Sequence, residues 1–247
     1  MKQFLLALAA VMLAACGGTK SEAPSGPTMQ ADLVNGATVT GKVAFQGTTP
    51  KPVVLDMSDK PDCVKANDGK PVYSQEVVVN PNGTLKNVFV WVKAGLPNAT
   101  WKAPATPVEL DQKGCMYDPH VLGVMTNQPL EIRNSDPTNH NIHATGDKNG
   151  ELNESQMPGE APIVKTFAKP ELFVSMKCNV HPWMRSYIGV VAHPFFAVTG
   201  DDGTFTIKGL PSGTYTIEIV HEKYGKQEQQ VTVGAKDSKT VDFSVKG

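Results

Sequence analysis

Cys178, His181 and Met184 share one short segment, Cys178-Asn179-Val180-His181-Pro182-Trp183-Met184, and His140 lies 38 residues before the cysteine in Asn139-His140-Asn141-Ile142-His143. Together they offer one thiolate, two imidazoles and one thioether, a set of soft ligands. Two histidines and a cysteine in a trigonal plane, with a weak axial methionine, form the type 1 copper site. The spacing therefore predicts one copper ion, held by His140, Cys178, His181 and Met184, that changes charge without leaving.

The N-terminus bears on the compartment. Lys2 precedes an apolar run from Phe4 to Ala15, too short to span a bilayer as a helix. The run ends in Leu13-Ala14-Ala15-Cys16 followed by Gly17-Gly18, which resembles a bacterial lipoprotein signal. That resemblance implies lipidation of Cys16, and Gly17 in place of an aspartate implies sorting to the outer membrane. The alternative is an ordinary secretory signal with a chance cysteine. On the first reading residues 1–16 are the signal, residues 17–36 a flexible tether rich in Gly, Ser, Thr and Pro, and the protein a lipid-anchored one facing the periplasm.

With 23 basic and 24 acidic side chains, the chain has no field to hold nucleic acid or an anionic membrane surface. About 210 residues follow the tether, enough for one large or two small domains. The sequence shows no Gly-rich phosphate loop, serine nucleophile elbow or His-Glu-x-x-His zinc helix, and no second metal cluster. The expectation is a protein that is not an enzyme.

Four cysteines sharpen the reading. With Cys16 assigned to lipid, Cys63, Cys115 and Cys178 remain in an oxidising compartment. Three thiols form one bridge in three ways. If Cys178 binds the metal, the bridge is Cys63–Cys115, and closing that loop stabilises the fold by roughly 4 kcal/mol, less any strain. A bridge to Cys178 would abolish the metal site.

The body reads as strands. Alternating or β-branched runs occur at 38–45, 53–57, 76–79, 88–92, 107–110, 130–134, 163–167, 172–176, 188–192, 204–207, 214–220, 229–233 and 240–245. Turn residues such as Asn80-Pro81-Asn82-Gly83 and Asp201-Asp202-Gly203 separate them. No stretch after residue 36 keeps a helical apolar period for three turns. The fold class is all-β, as two sandwiches.

Residues 101–194 resemble a cupredoxin of the amicyanin and plastocyanin kind. The resemblance rests on Leu130-Glu131-Ile132-Arg133-Asn134-Ser135-Asp136, on His140-Asn141-Ile142-His143, and on the compact loop Cys178-x-x-His181-Pro182-x-Met184. It implies a Greek-key sandwich in which a strand delivers Cys178, a tight loop returns His181 and Met184 to the same ion, and His140 arrives from another strand. It also implies that Asn141 ties the two ligand loops together. Val180 departs from the proline that close relatives carry, restoring a backbone N–H that can point at the Cys178 sulfur and favour Cu(I). Trp183 either borders a docking surface at the exposed edge of His181 or packs against the sandwich that begins N-terminal to the copper domain. His143, His120, His193 and His221 lack partners at ligand spacing and read as core or surface residues.

The flanks resemble a second family. Thr199-Gly200-Asp201-Asp202-Gly203-Thr204-Phe205 and Gly209-Leu210-Pro211-Ser212-Gly213-Thr214-Tyr215 are similar to the carboxypeptidase-regulatory-like, transthyretin-type sandwich, whose opening strand matches Val39-Thr40-Gly41-Lys42-Val43. This implies a discontinuous smaller sandwich, residues 37–100 plus 195–247, with the copper domain inserted. Such a module implies scaffolding or binding, and no peptidase activity. Three functions compete: an envelope electron carrier with redox proteins docking near His181, a copper-buffering module, and a scaffold lipoprotein. The complete ligand set disfavours the third, and the lack of Met/His-rich segments disfavours the second.

Overall fold

The computed structural model describes residues 26–247; the expected lipoprotein signal, Cys16 and residues 17–25 of the expected tether lie outside them. The protein is all-β, two sandwiches with a single short helix, Pro61–Ala66, among the described residues. The last part of the expected tether is ordered. Thr28–Met29 pairs in parallel with Thr100–Trp101, and the Asp32 carboxylate accepts the N–H groups of Val34 and Asn35.

The first sandwich comes from residues 108–191. Its five-stranded sheet runs Gly150–Gln156, His140–Gly146, Glu171–Lys177, Arg185–Val191, Val121–Met125; the facing four-stranded sheet runs Ile163–Lys165, Leu130–Asn134, Val108–Lys113, Met116–Asp118. Alternation sends Leu130 and Ile132, Val174 and Met176, and Ile188 and Val190 inward to one dry core. The second sandwich takes strands from both sides of that span. Phe196–Val198, Phe89–Ala94, Gly213–His221 and Gly225–Val233 form one sheet; Thr204–Leu210, Ala37–Gln46 and Ser238–Thr240 form the other, with Phe243–Lys246 pairing farther along Ala37–Gln46. Val39, Val43, Phe205, Ile207, Ile217 and Phe243 fill its core.

Two glycines seat one sandwich on the other. Gly123 and Gly189 are partners across the parallel pair Val121–Met125 and Arg185–Val191. A Cβ at Gly189 would stand 2.4 Å from the Phe89 ring, and one at Gly123 would stand 2.3 Å from the Phe196 ring. Only hydrogen fits at either position, so the aromatic face of the second sandwich lies flat on the first. Phe173, at a bulge in Glu171–Lys177 with a left-handed φ of 59°, stacks on Tyr187 and meets Phe89 edge-on.

Residues 37–100 do not all belong to the second sandwich. Leu55, Met57, Cys63 and Val72 join the core of the first. The apolar runs at 53–57 and 76–79 form only isolated bridges, Val54 to Tyr73 and Val79 to Leu85. Leu55 and Met57 dock as a cap on the first core, Val77 and Val79 pack against the second, and Val53 and Val54 remain exposed. No neighbouring strand extends the pairing, so β-branched composition alone does not make a ladder.

Candidate metal centre

Four local facts build the site. His140 opens the strand His140–Gly146, Cys178 follows the strand Glu171–Lys177, and His181 and Met184 sit in the turn leading to Arg185–Val191. The turn is closed by the backbone: Met184 N–H donates to the His181 carbonyl (3.0 Å) and Cys178 N–H to the Met184 carbonyl (3.3 Å). Because Lys177 pairs with both His143 and Arg185, the cysteine emerges between the two segments that carry the histidines.

The donors converge in a water-poor core. His140 and Met184 are 0% exposed, His181 2% and Cys178 3%. His140 Nδ1 lies 3.0 Å from His181 Nδ1, and Cys178 Sγ lies 3.7 Å from that same nitrogen. The ligating atoms of His140, Cys178 and His181 all fall within 4.8 Å of one another. Cys178 is the free cysteine among the described residues; Cys63 and Cys115 are joined, with Cα atoms 5.5 Å apart. Burial pushes the Cys178 thiol up, but interactions with His140 and His181 and with the Asn141 and Val180 backbone N–H groups outweigh it and bring it down to about 5. The sulfur is thus a thiolate at neutral pH. Met184 shares the buried cluster with Cys178.

Neighbours fix the rings. His140 Nε2 donates to Asp136 Oδ2 at 2.8 Å, which leaves Nδ1 with its lone pair facing the cluster. Asp136 also accepts the Gly114 and Cys115 N–H groups at 2.6 and 2.7 Å. Burial raises the Asp136 carboxyl, but the His140 and backbone hydrogen bonds hold it below the usual range. Burial lowers His140, while the bonds to Asp136 and Cys178 more than offset this and raise it. Asn141 spans both loops: its N–H donates to Cys178 Sγ (3.3 Å), and its Oδ1 accepts the Asn179 N–H (3.2 Å). The Tyr117 hydroxyl donates to the carbonyls of Asn141 (2.6 Å) and Lys177 (3.0 Å), clamping both ligand-bearing segments from within the core.

The donor set fits copper. Two imidazole nitrogens and one thiolate face a common point, with a thioether in the same wall and almost no solvent. The facing Nδ1 atoms, 3.0 Å apart, can share one proton or one cation between them.

The expectation of an exposed His181 edge is overturned. Trp183 lies beside the ring, centroids 5.5 Å apart, and its Nε1–H donates to the Cys115 carbonyl at 2.9 Å. The cap of residues 55–72 packs over the same cluster, leaving Pro182 as the loop's exposed residue between the two rings. His143 stands outside the set, bonded to Glu151 (2.7 Å) and Asn179 (3.0 Å). His120 is buried between the Arg185 carbonyl (3.0 Å) and Glu222. Asp136 and Tyr117 were not assigned a role from sequence. An acid four residues before a ligand histidine was a signal for Asp136; nothing local signalled Tyr117.

Fold and site thus define an all-β protein in which one sandwich carries a buried soft-donor cluster. Residues 190–246 match the carboxypeptidase regulatory-like domain family. Among solved structures the chain is similar to the copper-containing nitrite reductase NirK from Thermus scotoductus SA-01, at 25% identity and TM-score 0.31, covering 34% of this chain and 22% of that one. It therefore spans about a fifth of that enzyme. It is also similar to a Cu(I) form of an amicyanin variant, at 21% identity and TM-score 0.31, covering 34% of this chain and 81% of that one. A purple cupredoxin from Nitrosopumilus maritimus is similar at 17% identity and TM-score 0.29, covering 33% and 97%. No curated protein sequence matches the chain.

Proposed function

We propose that this protein carries single electrons between redox partners at one type 1 copper site held by His140, Cys178, His181 and Met184. The observation that carries the reading is the convergence of His140 Nδ1, His181 Nδ1 and the Cys178 sulfur in a buried pocket. Bound copper would supply a one-electron couple. The chain's own residues do the rest. Cys178 gives a thiolate, Asp136 holds the proton on His140 Nε2, and the strands fix all the donors before the metal arrives, so that little reorganisation accompanies a change of charge.

Burial of every donor leaves no open position for a substrate, which favours a carrier over an enzyme. The same burial disfavours buffering, since exchange needs access. A redox protein docks over Pro182 and Trp183, the surface nearest His181. The chain is anchored in the outer membrane, facing the periplasm, through lipid on Cys16; that part rests on the sequence alone, on Lys2, the apolar run ending in Leu13-Ala14-Ala15-Cys16, and Gly17.

The test uses the chain with Cys16→Ser, which cannot be lipidated, loaded with Cu(II) and followed by optical and EPR spectroscopy. The expected result is an intense thiolate-to-copper band in the visible that Cys178→Ser abolishes. A colourless protein that binds Cu(I) alone would point to buffering, and one that binds no copper would point to a scaffold.

A further inference from the structure

The disulfide lies against the site and beside both of its rings, since the Cys115 sulfur also falls within 4.8 Å of a His140 ring nitrogen and an Asp136 oxygen. The sulfurs of Cys63 and Cys115 and a ring nitrogen of His181 all stand within 4.8 Å of one another, and all three residues are buried. His181 Nδ1 is turned toward His140 and Cys178, so a second cation on the same ring would call on Nε2. We propose that Cys63, Cys115 and His181 form a second soft-metal site, available when the disulfide is reduced, in which two thiolates and the His181 ring hold one Cu(I).

The chemistry balances with a dithiol as reductant. Thiol–disulfide exchange moves two electrons and two protons to the Cys63–Cys115 bond, breaking it to two thiols and leaving the reductant as its own disulfide. Cu(I) then displaces the two thiol protons. Two thiolates and one imidazole suit a three-coordinate soft cation, and the apolar shell of Met57 and Val72 around them excludes competing water.

Cys63 sits in the single helix Pro61–Ala66, whose neighbours Asp62, Val64 and Lys65 are exposed, so only one turn of chain separates the sulfurs from solvent. Besides the disulfide, Asn67 ties the two arms together, its Nδ2 donating to the Cys63 and Gly114 carbonyls at 2.8 Å each. Sharing His181 places this site one imidazole from the inner cluster, so a cation taken up there has a ring to follow inward. That last role rests on the copper reading above; the site itself does not.

The experiment removes the inner thiolate. The full chain carrying Cys16→Ser and Cys178→Ser is prepared in disulfide and dithiol forms and titrated anaerobically with Cu(I) alone against a chromogenic chelator. The dithiol form is expected to hold one Cu(I) about 100-fold more tightly than the disulfide form, with two sulfur neighbours by X-ray absorption. Adding His181→Ala should weaken it about tenfold. Adding Cys63→Ser and Cys115→Ser opens the cap without supplying thiolates and should return affinity to the disulfide level. Equal affinity in the two redox forms, an affinity gain untouched by His181→Ala, or a dithiol form that unfolds and binds no copper would each overturn the site. Loss of the visible Cu(II) band in the chain that retains Cys178 bears on the electron-carrier reading and leaves this result unaffected.

Discussion

Asp136 Oδ2 accepts a hydrogen bond from His140 Nε2 at 2.8 Å while the same carboxylate holds the N–H groups of Gly114 and Cys115. One side chain therefore sets the histidine's tautomer and anchors the loop that carries the disulfide.

Asp136→Asn should weaken Cu(II) binding by about 10- to 100-fold, because the amide no longer accepts from every one of these donors and His140 loses its fixed tautomer. Chelator competition on the purified variant measures this. Affinity equal to the wild-type chain's would show that the strand alone positions His140.

Val180→Pro removes a backbone N–H that helps keep the Cys178 sulfur anionic. Without it the thiolate donates more strongly and Cu(II) is favoured, so the reduction potential falls. A net hydrogen bond of about 1 kcal/mol corresponds to roughly 40 mV for one electron. Voltammetry of the copper-loaded variant reads the shift, and an unchanged or higher potential contradicts it.

Gly189→Ala forces a methyl group into the Phe89 ring, where the present contact leaves no room. Overpacking of this kind costs about 1–3 kcal/mol. A lower urea midpoint is expected, with copper stoichiometry unchanged, because the damage lies where the sandwiches meet. A midpoint equal to the parent's would mean that the aromatic seat yields freely.

Acid should destabilise the fold before most carboxylates titrate. Burial holds His193 and His221 down to about 4, against 6.5 for a free histidine. As pH falls below 6.5 the unfolded chain takes up these protons and the native chain does not. The stabilisation is therefore complete above pH 6.5 and is lost progressively toward pH 4, by roughly 3 kcal/mol per histidine. Urea midpoints across this range should fall, and His193→Gln should make the slope shallower. An unaltered slope would assign the acid sensitivity elsewhere.

Much of the fold was legible in local pattern. The run at 130–134 is the strand Leu130–Asn134, and the run at 204–207 begins the strand Thr204–Leu210. His140–Gly146 is missing from the runs read by pattern, and only the resemblance supplied a strand there, because its alternation is broken by polar residues that serve the site. The apolar run at 53–57 misled, because it meets residues 72–74 in one isolated bridge, Val54 to Tyr73, and no ladder continues from it. Gly123 and Gly189 gave no sign in sequence of facing each other beneath two aromatic rings.

The types and spacing of Cys178, His181 and Met184 determined, without any coordinates, that one loop offers soft donors, because a tight turn must return neighbours three to six positions apart to one side. The resemblance had already set His140 against that loop, and the Cys63–Cys115 bridge was what a metal-binding Cys178 would leave; what folding alone decided is which further groups meet there, Asp136 and Tyr117 reaching in and the disulfide lying beside His181. Such encounters depend on strand register and sheet order, and no local stretch of chain encodes either.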